Sequence, residues 1–126
     1  MTIPEEIEMA VSYFNENYNT KISVAQYAES LHISTNGFIR NFKQHMKMSP
    51  AQYLLSLRMV NAQSLLENTD YSVGEIAEIV GYDNQLYFSR VFKKEYGISP
   101  AQYRKRAENQ SAAPMESDVG EITRED

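Results

Sequence analysis

No cysteine occurs in these 126 residues, so the chain supplies no disulfide, thiol nucleophile or thiolate ligand. That lack fits a cytoplasmic location. No run approaches the roughly 18 apolar residues of a membrane span. The opening MTIPEEIEMA is acidic and lacks the basic-then-apolar order of a secretion signal. The two histidines, His32 and His45, stand in no metal-ligand spacing, and there is neither a Gly-x-Ser-x-Gly elbow nor a phosphate loop. No catalytic residue, metal or cofactor is therefore expected. No run of four or more residues alternates in the manner of a strand, and apolar spacing is helical nearly throughout.

Nor is there an excess of positive charge: the net charge is −5. Divided by position, the excess of acid lies in residues 108–126, where Arg124 alone faces Glu108, Glu116, Asp118, Glu121, Glu125 and Asp126. Residues 1–107 balance. The tail has few large apolar residues and reads as disordered. Positive charge in the remainder is local, with Arg40, Lys43 and Lys47 in an acid-free stretch and Arg104, Lys105 and Arg106 in succession. Local positive charge is what phosphate contact requires.

The apolar period and its punctuation predict seven helices. The first spans about 4–17, with Ile7, Ala10, Val11 and Phe14 inward. Ser23 caps a second to about Leu31, with Gln26 at the reach-back position of a capping box. A third covers about 35–46. Ser49-Pro50 starts a long one to about 67, roughly 27 Å at 1.5 Å per residue. Ser72 opens a fifth that ends before Gly81. A sixth runs about 84–96 and stops at Gly97, and Ser99-Pro100 opens a last helix to about Ala107.

An internal repeat organises these elements. SVAQYAESLHI at 23–33 aligns with SVGEIAEIVGY at 72–82, and FIRNFKQHMKMSPAQY at 38–53 with FSRVFKKEYGISPAQY at 88–103. Each copy is a short helix, a tight break and a second helix. Ala28 and Ala77 are small enough for close helix crossing, and Gly81 can take a positive φ at the second break. That is the logic of a helix-turn-helix, whose second helix enters a major groove. Phe38/Phe42 and Phe88/Phe92, spaced i and i+4, are core residues. Arg40 and Arg90 lie off that stripe at equivalent positions, and Arg, Asn and Gln match base edges by fork geometry. Lys43, Lys93, Arg104, Lys105 and Arg106 are candidates for phosphate contact. Asn36-Gly37 weakens the third helix, because Gly costs about 1 kcal/mol against Ala inside a helix.

Residues 5–106, and above all EIAEIVGYDNQLYFSRVFKKEYGISPAQYR at 75–104, resemble the DNA-binding domain of the AraC/XylS family of bacterial regulators. The resemblance implies an all-α fold of seven helices, with two helix-turn-helix subdomains (residues 1–48 and 69–107) joined by a linker helix (49–68). It implies insertion into successive major-groove segments of double-stranded DNA. By alignment the base-reading positions fall on Thr35, Asn36, Ile39 and Arg40, and on Asn84, Gln85, Leu86, Ser89 and Arg90. RNA polymerase is a further implied partner, and a sensor or receiver domain is expected outside this segment. His32 and Lys47 stand where the family has glycine, so the first unit departs from the pattern more than the second. Two rivals differ in class. An enzyme lacks any motif here, whereas a helical protein-interaction module would explain the balanced charge but predicts binding without steep salt dependence. For the fold, the alternative is one helix-turn-helix followed by an unrelated helical pair.

Overall fold

The computed structural model describes residues 3–112, and all regular structure among them is α-helix. The helices are α1 (Glu5–Asn17), α2 (Val24–Ser30), α3 (Thr35–Met46), α4 (Pro50–Asn68), α5 (Val73–Ile79), α6 (Gln85–Tyr96) and α7 (Pro100–Ala112). Serine caps define most of the starts. Ser49 and Ser72 form reciprocal capping boxes with Gln52 and Glu75. Ser99 and Gln102 exchange the same two bonds, at 2.9 and 3.1 Å. At Ser23 only half of the expected box forms: the hydroxyl accepts from the Gln26 N–H, with no reciprocal bond.

Two hydrophobic cores form. Ile7, Ala10, Phe14, Ala28, Phe38, Phe42 and Leu54 make the first. Met59, Ala62, Leu66, Ile76, Ala77, Val80, Tyr82, Phe88 and Phe92 make the second. Helix α4 contributes to both cores. Its N-terminal half gives Leu54 to the first core, and its C-terminal half gives Met59, Ala62 and Leu66 to the second. Those last three repeat the i, i+3, i+7 spacing of Ile7, Ala10 and Phe14 in α1. Likewise Pro50 and Pro100 are both buried, and Tyr53 and Tyr103 each pack on their own core. So α4 closes the first unit as α7 closes the second, and opens the second as α1 opens the first. It is a working wall of both units as well as the connection between them.

The C-terminal boundary differs from expectation. Residues 108–112, assigned from sequence to a disordered tail, continue α7. Ala107-Glu108-Asn109-Gln110 carries no helix-stopping residue, and the loss of apolar periodicity there removes packing without removing helical propensity. The rest of that tail, 113–126, lies outside the described residues.

Candidate nucleic-acid interface

Helix pairs α2–α3 and α5–α6 are built by the same local chemistry. The Ile33 N–H closes on Ala28 O at 3.1 Å, and the Tyr82 N–H closes on Ala77 O at 2.8 Å. This closure places one left-handed residue after each first helix. It is His32 (φ 61°) in the first copy and Gly81 (φ 103°) in the second. Ala28 and Ala77, both buried, leave room for the next helix to cross. The second helix is then capped: Ser34 Oγ accepts from the Gly37 N–H at 2.9 Å, and Asn84 Oδ1 from the Tyr87 N–H at 3.0 Å. Left-handed C-caps at Lys47 (φ 66°) and Gly97 (φ 82°) end both second helices.

Burial of the Phe pairs fixes what each second helix turns outward. On α3, Asn36, Arg40 and Lys43 are exposed and Ile39 is half-buried; on α6, Leu86, Arg90 and Lys93 are exposed and Ser89 is half-buried. The exposed trios are spaced i, i+4, i+7 and share one helix face. Thr35 is half-buried at the start of α3. Gln85, at the start of α6, lies over Gly74 of α5, where an added Cβ would stand 2.8 Å from its Oε1.

Charge segregates in the same way. Helix α3 holds no acid and α6 holds only Glu95, whereas Glu5, Glu6, Glu8 and Glu16 crowd α1. Among the described residues the one ion pair is Lys21–Asp83, which leaves Arg40, Lys43, Arg90 and Lys93 without carboxylate partners. The carboxylate of Asp83 raises the Lys21 pKa. Tyr103 is pushed up to about 12, chiefly because its hydroxyl donates to Glu67 on α4, and burial raises Tyr82 against an opposing effect of Arg58.

Two of the residues assigned from sequence make intramolecular contacts of their own. Arg104, expected to face phosphate, instead donates from Nε to Leu66 O at 3.2 Å and from Nη2 to Thr69 O at 3.1 Å. Its guanidinium thereby serves the carbonyls that the end of α4 leaves without partners. Asn84 precedes α6 as its cap, so the oxygen needed for two-bond recognition of adenine is already engaged. Lys105 and Arg106 are exposed on α7, as phosphate contact requires.

Sequence reasoning passed over Tyr87 and Lys94, both exposed on α6. With Leu86 at 56% exposure and Tyr87 at 57%, the start of α6 carries two large apolar side chains where α3 has Asn36 and Gly37. Tyr87 flanks the Phe face of α6, with its ring 5.8 Å from that of Tyr82, and the signal for it is a large aromatic at a position the Phe pair leaves in solvent.

Residues 27–106 match the family model described as "Helix-turn-helix domain". A curated relative, the raffinose operon transcriptional regulatory protein RafR of Pediococcus pentosaceus, is 38% identical over 101 residues, which are 80% of this chain and 36% of that protein. The chain thus spans about a third of the length of the curated relatives it matches. Among solved structures, the C-terminal domain of AraT, a response regulator from Geobacillus stearothermophilus, superposes with a TM-score of 0.80 at 32% identity, covering 98% of this chain and 97% of that one. The DNA-binding domain of AdpA, a global transcriptional factor solved in complex with a target DNA, gives a TM-score of 0.80 at 28% identity, covering 86% of this chain and 98% of that one.

Proposed function

Because the chain belongs to the AraC/XylS family of helix-turn-helix proteins, we propose that it is the DNA-reading module of a bacterial transcription regulator, working in the cytoplasm on double-stranded DNA. One observation carries this reading. Equivalent positions on α3 and α6 present the same exposed Arg and Lys, without carboxylate partners among the described residues, on a helix backed by the same turn. A solvated surface has no reason to repeat that arrangement. The likeness to a domain solved on its target DNA supports the same reading.

Arg40 and Arg90 are assigned to guanine edges by two-bond geometry, and Gln85 to an adenine. Leu86 and Ile39 contact thymine methyls, while Thr35, Asn36 and Ser89 make single hydrogen bonds. Asn84 contributes at most its amide donors. Lys43, Lys93, Lys105 and Arg106 meet phosphates, which give affinity without sequence information. The two units follow each other along one chain and are not related by a dimer's two-fold axis, so the target is an asymmetric site with two elements about 10 bp apart. Gly37 and the left-handed His32 and Lys47 make the first unit the weaker reader. A sensor or receiver domain and a contact to RNA polymerase belong, on this reading, to the regulator as a whole.

Selection of bound sites from random duplex DNA, followed by affinity measured against salt, tests the proposal. Four phosphate contacts predict a log–log slope of roughly −4, at about −0.9 per contact. Failure to enrich any site, or an affinity indifferent to salt, would favour a protein-binding module.

A further inference from the structure

The two units touch away from both reading helices. Arg58, half-buried in the middle of α4, donates from Nε to Tyr18 O at 2.8 Å and from Nη2 to Thr20 O at 3.0 Å. Both acceptors lie just past the end of α1, in the first unit. The same guanidinium stands 5.3 Å from the ring centroid of Tyr82, which belongs to the turn of the second unit. Lys21 and Asp83 join the same two segments by an ion pair of 2.6 Å, and Tyr18 packs against both cores.

Gly81 shows how closely these segments approach. A Cβ there would lie 3.1 Å from both the C and Cα atoms of Asn19, against backbone and not the end of a flexible side chain. The matching residue of the first unit, His32, is also left-handed but at φ 61° against 103°, and carries a full side chain exposed to solvent. The φ of 103° at residue 81 lies beyond the left-handed region that His32 occupies and by itself favours glycine. The neighbouring loop adds to this, since a Cβ at residue 81 would have to push the Asn19 backbone aside by a few tenths of an ångström.

The geometry points to Arg58, with Gly81 and Tyr82, as the positioning device that sets the spacing between the two reading helices and hence between the two DNA elements. Helix α4 alone is a single connection. Docking the second turn onto the 18–21 loop adds another, and two connections hold the pair in one relative placement. A one-base-pair change between elements moves the second by about 3.4 Å along the axis and rotates it by roughly 35°. A pair fixed in this way cannot follow such a change. Arg58 need not touch DNA for this role, which rests on the two-element reading above.

The test uses the full chain and its selected site, with variants of that site carrying one base pair inserted or deleted between the elements. The native chain should lose about tenfold or more in affinity at either altered spacing. Arg58→Ala should shrink that penalty at least threefold while weakening binding to the best site. Gly81→Ala should do the same, whereas Gly97→Ala, equally left-handed but with nothing within 4 Å of its added methyl, should leave the spacing penalty intact. A second readout needs no DNA: spin labels on Gln44→Cys and Lys94→Cys in this cysteine-free chain should give a narrow distance distribution that Arg58→Ala broadens. Arg58→Lys covers the case in which the alanine variant does not fold, and should fall between the two. Equal loss at all spacings with an unchanged distance distribution would overturn the inference. A native chain that tolerates every spacing would also overturn the inference, and footprints at two grooves or at one would show whether the two-element reading survives it.

Discussion

Removing the Arg104 side chain should damage the fold and spare DNA contact. Its guanidinium makes two bonds to carbonyls at the end of α4, and the side chain is half-buried. A hydrogen bond from a charged donor contributes about 1.5–3 kcal/mol. Water can reach part of this site once the side chain is gone, so both bonds together are worth the low end of the doubled range, about 3 kcal/mol. For a domain of this size, at about 4 °C per kcal/mol, Arg104→Ala should lower Tm by roughly 12 °C. Far-UV circular dichroism on heating measures the loss, and urea unfolding should show an earlier midpoint with an unchanged slope. Where the variant is folded, the salt slope of DNA binding should match that of the native chain. An unchanged Tm together with a salt slope shallower by about 0.9 would mean that Arg104 meets phosphate after all, and the capping argument would fail.

Other consequences are as direct. Arg90→Ala should cost about 1–3 kcal/mol on the selected site and relax preference at one base pair, whereas Lys93→Ala should weaken specific and random duplexes alike; Arg40→Ala should cost less than Arg90→Ala. Competition binding on point-variant sites separates these outcomes, and identical profiles for the Arg90 and Lys93 variants would end the division of roles. Lys47→Gly should stabilise by about 0.5–1 kcal/mol, since a left-handed non-glycine residue costs roughly 1–2 kcal/mol and the added freedom of unfolded glycine returns part of it; a lower midpoint in urea would contradict that. Tyr103 has a folded pKa of about 12 against 10.0 ordinarily, so its neutral-form contribution is complete below pH 10 and is lost as pH rises towards 12. Stability should therefore fall across that window, and Tyr103→Phe should flatten the fall while lowering stability at pH 8. Buried Tyr82 and the half-buried Tyr18, Tyr27 and Tyr96 act with the same sign, so the flattening should be partial.

What was readable in the sequence was local. Serine caps, Pro50 and Pro100 after Ser49 and Ser99, and the Phe pairs at i and i+4 are signals within one turn or two, and they placed the helices to within a residue or two up to α7. The repeat gave the two units, and His32 and Lys47 in glycine places marked the left-handed positions that the structure contains. What escaped was long-range. Charge alone places Arg104 in a basic run, but its acceptors, Leu66 O and Thr69 O, are brought near only by the packing of α7 on α4. Arg58 has no signal in its own helix, because its partners come from the α1–α2 loop and from the second turn. The double duty of α4 was hidden for a related reason: the repeat was found by residue identity, and Met59, Ala62 and Leu66 share only spacing with Ile7, Ala10 and Phe14. Asn84 also caps α6, a role that an Asn directly before a helix signals in the sequence alongside its candidacy as a base reader.

Hydroxyl-radical footprinting of the monomer on its selected site tests the central claim most directly. Two protected patches on one DNA face, centred about 10 bp apart within an asymmetric sequence and saturating at one chain per duplex, are the predicted result. Protection of a single turn, or a symmetric site that fills only with two chains, would contradict it.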